Sequence, residues 1–409
     1  MRKYLVAWLL AVQASAVGVA SLVIPMAVQA ETVSKEVGKP LKAAQDAIAK
    51  KHWDEAMAKL KEADSQPKKS PYEEYAINDL MAYVLYNTRD RAGAAKYYEL
   101  NLNSPQVPAS QVPARVKQLA QLYFDLKNYP KAIEYGNRWL KNSPNDSDAY
   151  LLVAQSYMQQ QDCKNASKLL QAGMDAARKA DQPVKQNWLD MKLFCQDKLA
   201  DKQGMIDTRL QLVRNYPSHE HWDALLTTIY SQQENDDLTT LNYYRLMLDL
   251  DVLKKPNYYK EMAEMDISAG VPGEALVVMN KGFANKVLDT KDKERYTRLL
   301  NNARTQAQEV QKKLPQLEQE ARASKTADAD INLGITYTGF AQYDKAVEAL
   351  QRALQKNPGK RADEAQIALG RAYLRLNQKD AARKAFKAVP DDSKLARVAE
   401  LYGIYASQS

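Results

Sequence analysis

The stretch ADADINLGITYTGFAQYDKAVEALQRALQKNPGK, residues 327–360, constrains the fold of this chain more than any other feature. Leu333 and Gly334 fall in the middle of one amphipathic helix, with Tyr337 a turn further on. After the break at GFAQYD, a second helix carries Ala346, Leu350 and Ala353, and Pro358 stops it. Small residues at these places let one helix backbone lie close against the next. The proline forces the chain to turn back. A helix pair of this size cannot bury its apolar face alone, so copies have to stack on one another.

Copies are present. Gly370, Tyr373, Ala382 and Phe386 repeat the offsets downstream. Upstream, Leu119, Ala120, Tyr123, Ala132 and Pro144 form one unit, and Val153, Ala154, Tyr157, Ala166 and Leu170 form the next. Ala44, Ala56, Leu60 and Ala63 mark a first unit, and Ala82, Ala94 and Tyr98 a second. Trp222, Leu225, Leu226 and Ile229 in HEHWDALLTTIY, then Met262, Ala263, Ala275 and Met279, continue the series. The pattern resembles the tetratricopeptide-repeat family over most of residues 37–395. That resemblance implies an all-α, right-handed α-solenoid of about 8–10 helix pairs. It also implies a concave face, lined by the first helix of each pair, that takes extended peptides or partner helices. The expected organisation is repeats over 37–289, a degenerate helical pair over 290–326, and a C-terminal pair of repeats over 327–405. The degenerate segment is polar, has no glycine and carries Pro315 inside its pattern.

The start of the chain indicates export. Arg2 and Lys3 precede an apolar run from Leu5 to Val28 that ends in AVQA. This is the layout of a secretory signal peptide over residues 1–30, with cleavage expected after Ala30 and a short linker over 31–36. Retention of the run as an anchor is the other possibility, since it is long enough to span a bilayer. Together with the repeats, the segments YPSHEHWDALLTTIY and AGVPGEALVVM resemble periplasmic repeat proteins that accompany TonB–ExbB–ExbD transport machinery in Gram-negative bacteria. The expected compartment is therefore the periplasm. The net charge of +8 is scattered in lysine pairs and not gathered on one face, which argues against a nucleic-acid partner.

No catalytic constellation accompanies the repeats. His219 and His221 are two apart on a helix and do not share a face, and Ser218 reads as the cap before them. No phosphate loop or nucleophile elbow occurs, so no enzyme, metal or cofactor is expected. The family's groove positions give Lys117, Gln121 and Phe124 in the third unit, Gln155, Met158 and Gln159 in the fourth, and Arg371 and Arg375 in the last. Their mixed polarity suits segments of cell-envelope proteins docking on a non-catalytic scaffold. With 24 tyrosines against five phenylalanines, a glycan-binding module is the alternative function. In the repeat register, Cys163 lies between the helices of the fourth unit and Cys195 late in the first helix of the fifth. In an oxidising compartment a Cys163–Cys195 disulfide is expected, with two separate buried thiols as the other reading.

Overall fold

The structure is a computed structural model that describes residues 33–232 and 236–408. The described residues are helical and turn segments without strands, divided between two compact units that meet in sequence at Pro144 and Asn145. The proposed signal segment lies outside the described residues. Among those described, no helix is long and apolar enough to cross a membrane.

The first unit holds α1 (Lys35–Ala49), α2 (Trp53–Asp64), α3 (Pro71–Asn87), α4 (Arg91–Leu102), α5 (Val112–Asp125) and α6 (Tyr129–Asn142). These are antiparallel pairs, each packed on the next in chain order. The first helix starts at Lys35, inside the segment expected to be a linker, because Ser34 caps it. Glu73 closes a capping box with Ser70 and also accepts from both the amide and the hydroxyl of Ser34 at 2.6 Å. One carboxylate thus satisfies the exposed N–H groups at the starts of two helices.

The second unit opens with α7 (Ser147–Gln159), α8 (Cys163–Lys179), α9 (Gln186–Lys198), α10 (Lys202–Asn215), α11 (His219–Gln232) and α12 (Asp237–Asp249). It continues with α13 (Pro256–Ser268), α14 (Pro272–Ala284), α15 (Lys293–Ala323), α16 (Asp328–Gly339) and α17 (Tyr343–Gln355), and ends with α18 (Ala362–Arg375), α19 (Lys379–Lys387) and α20 (Ala396–Gln408). The expected α-solenoid of stacked helix pairs is what both units are built from.

The turns inside three of the pairs, α5–α6, α7–α8 and α9–α10, follow one design. Asn128, Asp162 and Asp201 each donate a backbone N–H, at 2.9 Å, to the carbonyl five residues back (Tyr123, Tyr157 and Gln196). The residue between takes a left-handed conformation: Lys127 (φ 58°), Gln161 (φ 63°) and Ala200 (φ 52°). A left-handed side-chain residue costs about 1 kcal/mol, which the closed turn offsets. The same Asn or Asp side chain then caps the following helix, accepting from the amides of Lys131, Asn165 and Gly204.

The glycine at the eighth position has a steric reason. A Cβ on Gly334 would lie 2.4 Å from Leu350 Cγ, and one on Gly370 would lie 2.4 Å from the Phe386 ring. At those points the backbone of the first helix lies directly against a side chain of the second.

One expected boundary is corrected. Residues 290–326 do not form a helical pair; Lys293–Ala323 is one helix of 31 residues. Its buried residues, Tyr296, Ala303, Ala307, Leu314 and Ala321, form a single stripe. The first half of that stripe joins the core around α13 and α14, and the second half packs on α16. Pro315 does not break the helix because it sits on the exposed side, where water can serve the carbonyl of exposed Gln311.

Within the second unit, α12 has every residue from Thr239 to Leu248 buried. A helix covered all round is an internal element, not a surface one. Its cover includes the end of the chain. Helix α20 packs on α19 and on α12, and Gln408 accepts from Trp222 Nε1 at 3.2 Å and donates to the carbonyl of Val213 at 2.8 Å.

Candidate functional site

The expected groove residues divide into two groups. In the first unit, Lys117 places its ammonium 4.4 Å from the centre of the Trp139 ring. Gln121 and Phe124 are half-buried on the same helix, α5, and Phe124 meets Tyr129 edge-on at 5.9 Å. In the second unit, Gln155 reaches Met191 Sδ at 3.9 Å, Met158 packs beside the cysteines, and Gln159 is exposed. These six remain at or near the surface and mix apolar, amide and cationic groups.

Arg371 and Arg375 do something else. Arg371 is only 6% exposed and is held by Asp249 (3.2 Å) and Glu274 (2.8 Å) of its own unit. Arg375 pairs with Asp249 at 2.5 Å. Arg371 is therefore not available to a partner, and its expected place in a binding groove is corrected: it closes the second unit on itself, whereas Arg375, though paired with Asp249, stays exposed. Sequence register placed them properly on α18, but it carried no sign that Asp249 and Glu274, about a hundred residues earlier, would face them.

The two arginines belong to a buried charge network. Arg245, on α12, donates to Glu274 through Nε at 2.9 Å, and its Nη2 lies 3.2 Å from Asp266. Tyr402 and Tyr405 of α20 donate to the side chain and the carbonyl of Asp249. Burial works against ionisation of Glu274, yet Arg245 and Arg371 outweigh it and hold this carboxyl down at about 2. Asp266 behaves in the opposite way. Burial, reinforced by the Glu274 carboxylate beside it, pushes its carboxyl well above the ordinary aspartate range.

That opposition predicts a pH effect. The unfolded chain ionises Asp266 near pH 3.9, whereas the folded chain keeps it protonated. Stability therefore falls as pH rises from about 4 toward the folded value, by up to about 1.4 kcal/mol per pH unit. Asp266→Asn removes the titration and keeps an acceptor for Arg245. Urea unfolding at a series of pH values should show the variant gaining on the wild type across that limb. Parallel curves would refute the assignment.

The cysteines come together as the repeat register expects, and in this structure both carry free thiols. Cys163 opens α8, Cys195 lies late in α9, and the two are buried with Ala166 in one small cluster. Burial first, then the neighbouring Cys163 sulfur, pushes the Cys195 thiol up, so neither the position nor the acidity is that of a nucleophile.

His219 and His221 open α11 as expected. The amide of His221 donates to Ser218 Oγ at 3.1 Å, and its Nδ1 lies 2.5 Å from the carbonyl of Tyr216. Among the described residues there is no group of three or more histidines, cysteines or carboxylates placed to hold a metal. Many tyrosines are packing groups: Tyr123 stacks on Tyr135 at 5.6 Å, and Tyr230, Tyr244 and Tyr258 form a mutual cluster.

A cavity of about 570 Å³ lies within the second unit, between α12, the turn before α14, α15, α16 and the start of α18. It is open to solvent on one side, where exposed Leu238 lies.

Tetratricopeptide-repeat family models match residues 339–403 and 118–147. Among solved structures, the chain is similar to a tetratricopeptide repeat protein from Parabacteroides merdae, with 11% identity, coverage of 91% of this chain and 99% of that one, and a TM-score of 0.32. It is also similar to the C-terminal part of a repeat-containing protein from Cytophaga hutchinsonii (12% identity, 80% and 98% coverage, TM-score 0.33). A third is MamA from Desulfovibrio magneticus (15% identity, 50% and 100% coverage, TM-score 0.31). Among curated proteins none matches the chain. The chain carries tetratricopeptide repeats, on a helix-pair fold that runs through both of its units.

Proposed function

We propose that this protein is an exported, non-catalytic scaffold that docks segments of cell-envelope proteins on the first helices of its repeats. The observation that carries the reading is the contrast among the groove positions. Gln121 and Phe124 stay half-buried and Gln159 exposed, whereas Arg371 is consumed internally. Repeat surfaces of this mixed polarity suit extended or helical protein segments. Service to a TonB-type energy-transducing assembly is the specific form we propose, on the resemblance of the YPSHEHWDALLTTIY and AGVPGEALVVM segments.

Photo-crosslinking residues at Gln121 and Gln159, compared with exposed Lys141 on the second helix of a pair, test the docking surface in cells. The same one or two envelope proteins should be captured from the first two sites and not from Lys141. Equal capture from all three, or none, would remove the reading.

The compartment has its own test. An exported mature chain should begin at Glu31, and oxidation should join Cys163 to Cys195. In the chain-entropy view that bond closes a 32-residue loop and adds about 3–4 kcal/mol. Thiol titration of the denatured, unreduced protein recovered from the envelope should then find none. Two titratable thiols would place the protein in a reducing environment or show that the pair stays reduced.

A further inference from the structure

The cavity in the second unit has a chemical character of its own, independent of the docking surface. Leu241, Val310, Leu317, Leu333 and Ile335 line it with hydrocarbon, and partly exposed Leu238 marks where it meets solvent. Its volume lies within the range of about 300–1,000 Å³ typical of small-molecule sites.

The charges around it are unequally committed. Arg245 is engaged by Glu274 at 2.7 Å, and Arg361 by Glu364 at 2.8 Å and Asp328 at 3.1 Å. The cations closest in sequence and space to the α15 end of the cavity are also engaged: Arg322 with Glu318 at 2.6 Å and Lys356 with Asp330 at 2.7 Å. Glu320 differs. It accepts from the Gln316 amide at 2.8 Å and pairs with no cation among the described residues. An anionic head would find no uncommitted cation here, whereas a cationic head finds a carboxylate at the edge of a hydrocarbon space.

We propose that this cavity is a binding site for a small amphiphilic cation, its alkyl body lying among Leu241, Leu317, Leu333 and Ile335 and its ammonium head donating to Glu320.

The test uses the full chain with two probes of matched length, dodecylammonium and dodecanoate, titrated calorimetrically below their micelle concentrations. The wild type should bind one dodecylammonium saturably and prefer it by about tenfold, as expected for one charge-assisted hydrogen bond. Glu320→Gln, at an exposed position, should bring the two affinities together. Ala329→Trp, which places an indole in the cavity, should abolish binding of both. Equal affinity for the two heads in the wild type, absence of saturable binding, or undiminished binding in a folded Ala329→Trp protein would overturn the proposal. If Ala329→Trp does not fold, Glu320→Gln decides alone: an unchanged preference sinks it.

Discussion

Glu274→Ala should destabilise the second unit by about 3–5 kcal/mol, as expected when one partner of a buried ion pair is removed and the other charge is left behind. Among the described residues, Glu274 is the one carboxylate that pairs with both Arg245 and Arg371, and all three side chains are less than a tenth exposed. Without it, Arg245 keeps only Asp266, and Arg371 keeps only Asp249, which it already shares with Arg375 and Tyr402. Glu274→Gln, which retains an uncharged acceptor, should cost less. Urea unfolding with hydrogen exchange resolved to α12, α14 and α18 would localise the loss. A change below about 1 kcal/mol would mean the network is screened by solvent.

The same residue fixes a pH dependence opposite in sign to that of Asp266. A carboxyl held at about 2 in the folded state and near 4.3 in the unfolded one adds stability at higher pH, and that stability is lost on acidification through this window. The gap between wild type and Glu274→Ala should therefore narrow as pH falls from 5 toward 2. A gap that stays constant would show that the lost stability came from packing and not from charge.

How much of this was legible beforehand depends on the range of the interaction concerned. Short-range features were. Gly334 and Gly370 at the eighth position, alanines such as Ala120, Ala154 and Ala346 fully buried at the helix crossings, and Ser218 as a cap all follow from spacing within 34 residues. The turns were harder to read, because Lys127, Gln161 and Ala200 take left-handed backbones without being glycine. There the signal was the Asn or Asp one residue later. For residues 293–323, the misleading cue was Pro315, since proline interrupts a helix only where its missing hydrogen bond cannot be replaced. The stripe Tyr296, Ala303, Ala307, Leu314, Ala321 was the better guide to one continuous helix.

The long-range features were not legible. A repeat pattern treats every unit alike, so Arg371 and Arg375 read as groove residues like Lys117 and Gln121. What sets them apart is the return of the chain end onto α12. The sequence of α12, DLTTLNYYRLMLD, did hold a hint: apolar and aromatic residues lie on all its faces, and its single arginine needed buried carboxylates. Which carboxylates was a matter of topology. The candidate site is affected in the same way, because the cavity exists only where distant helices enclose it.

Tyr402→Ala tests that closure from the other side, and about 3–5 kcal/mol should be lost. Tyr402 is fully buried on α20; its ring stacks on Phe386 at 5.0 Å with 12° between planes, and its hydroxyl donates to Asp249 at 3.0 Å. Gly370 leaves the space that Phe386 occupies, so the stack is built on a backbone contact and has little freedom to collapse into the void. Tyr402→Phe separates the two contributions. It keeps the ring, removes one hydrogen bond to a carboxylate that retains two arginines, and should cost only about 1–2 kcal/mol. Hydrogen exchange should show α20 and the facing end of α12 losing protection together in the alanine variant, because each covers the other. If α20 alone became labile while α12 kept its protection, the chain end would be a covering layer and not part of the core. Equal losses in the two variants would assign the stabilisation to the Asp249 bond and leave the ring stack without weight.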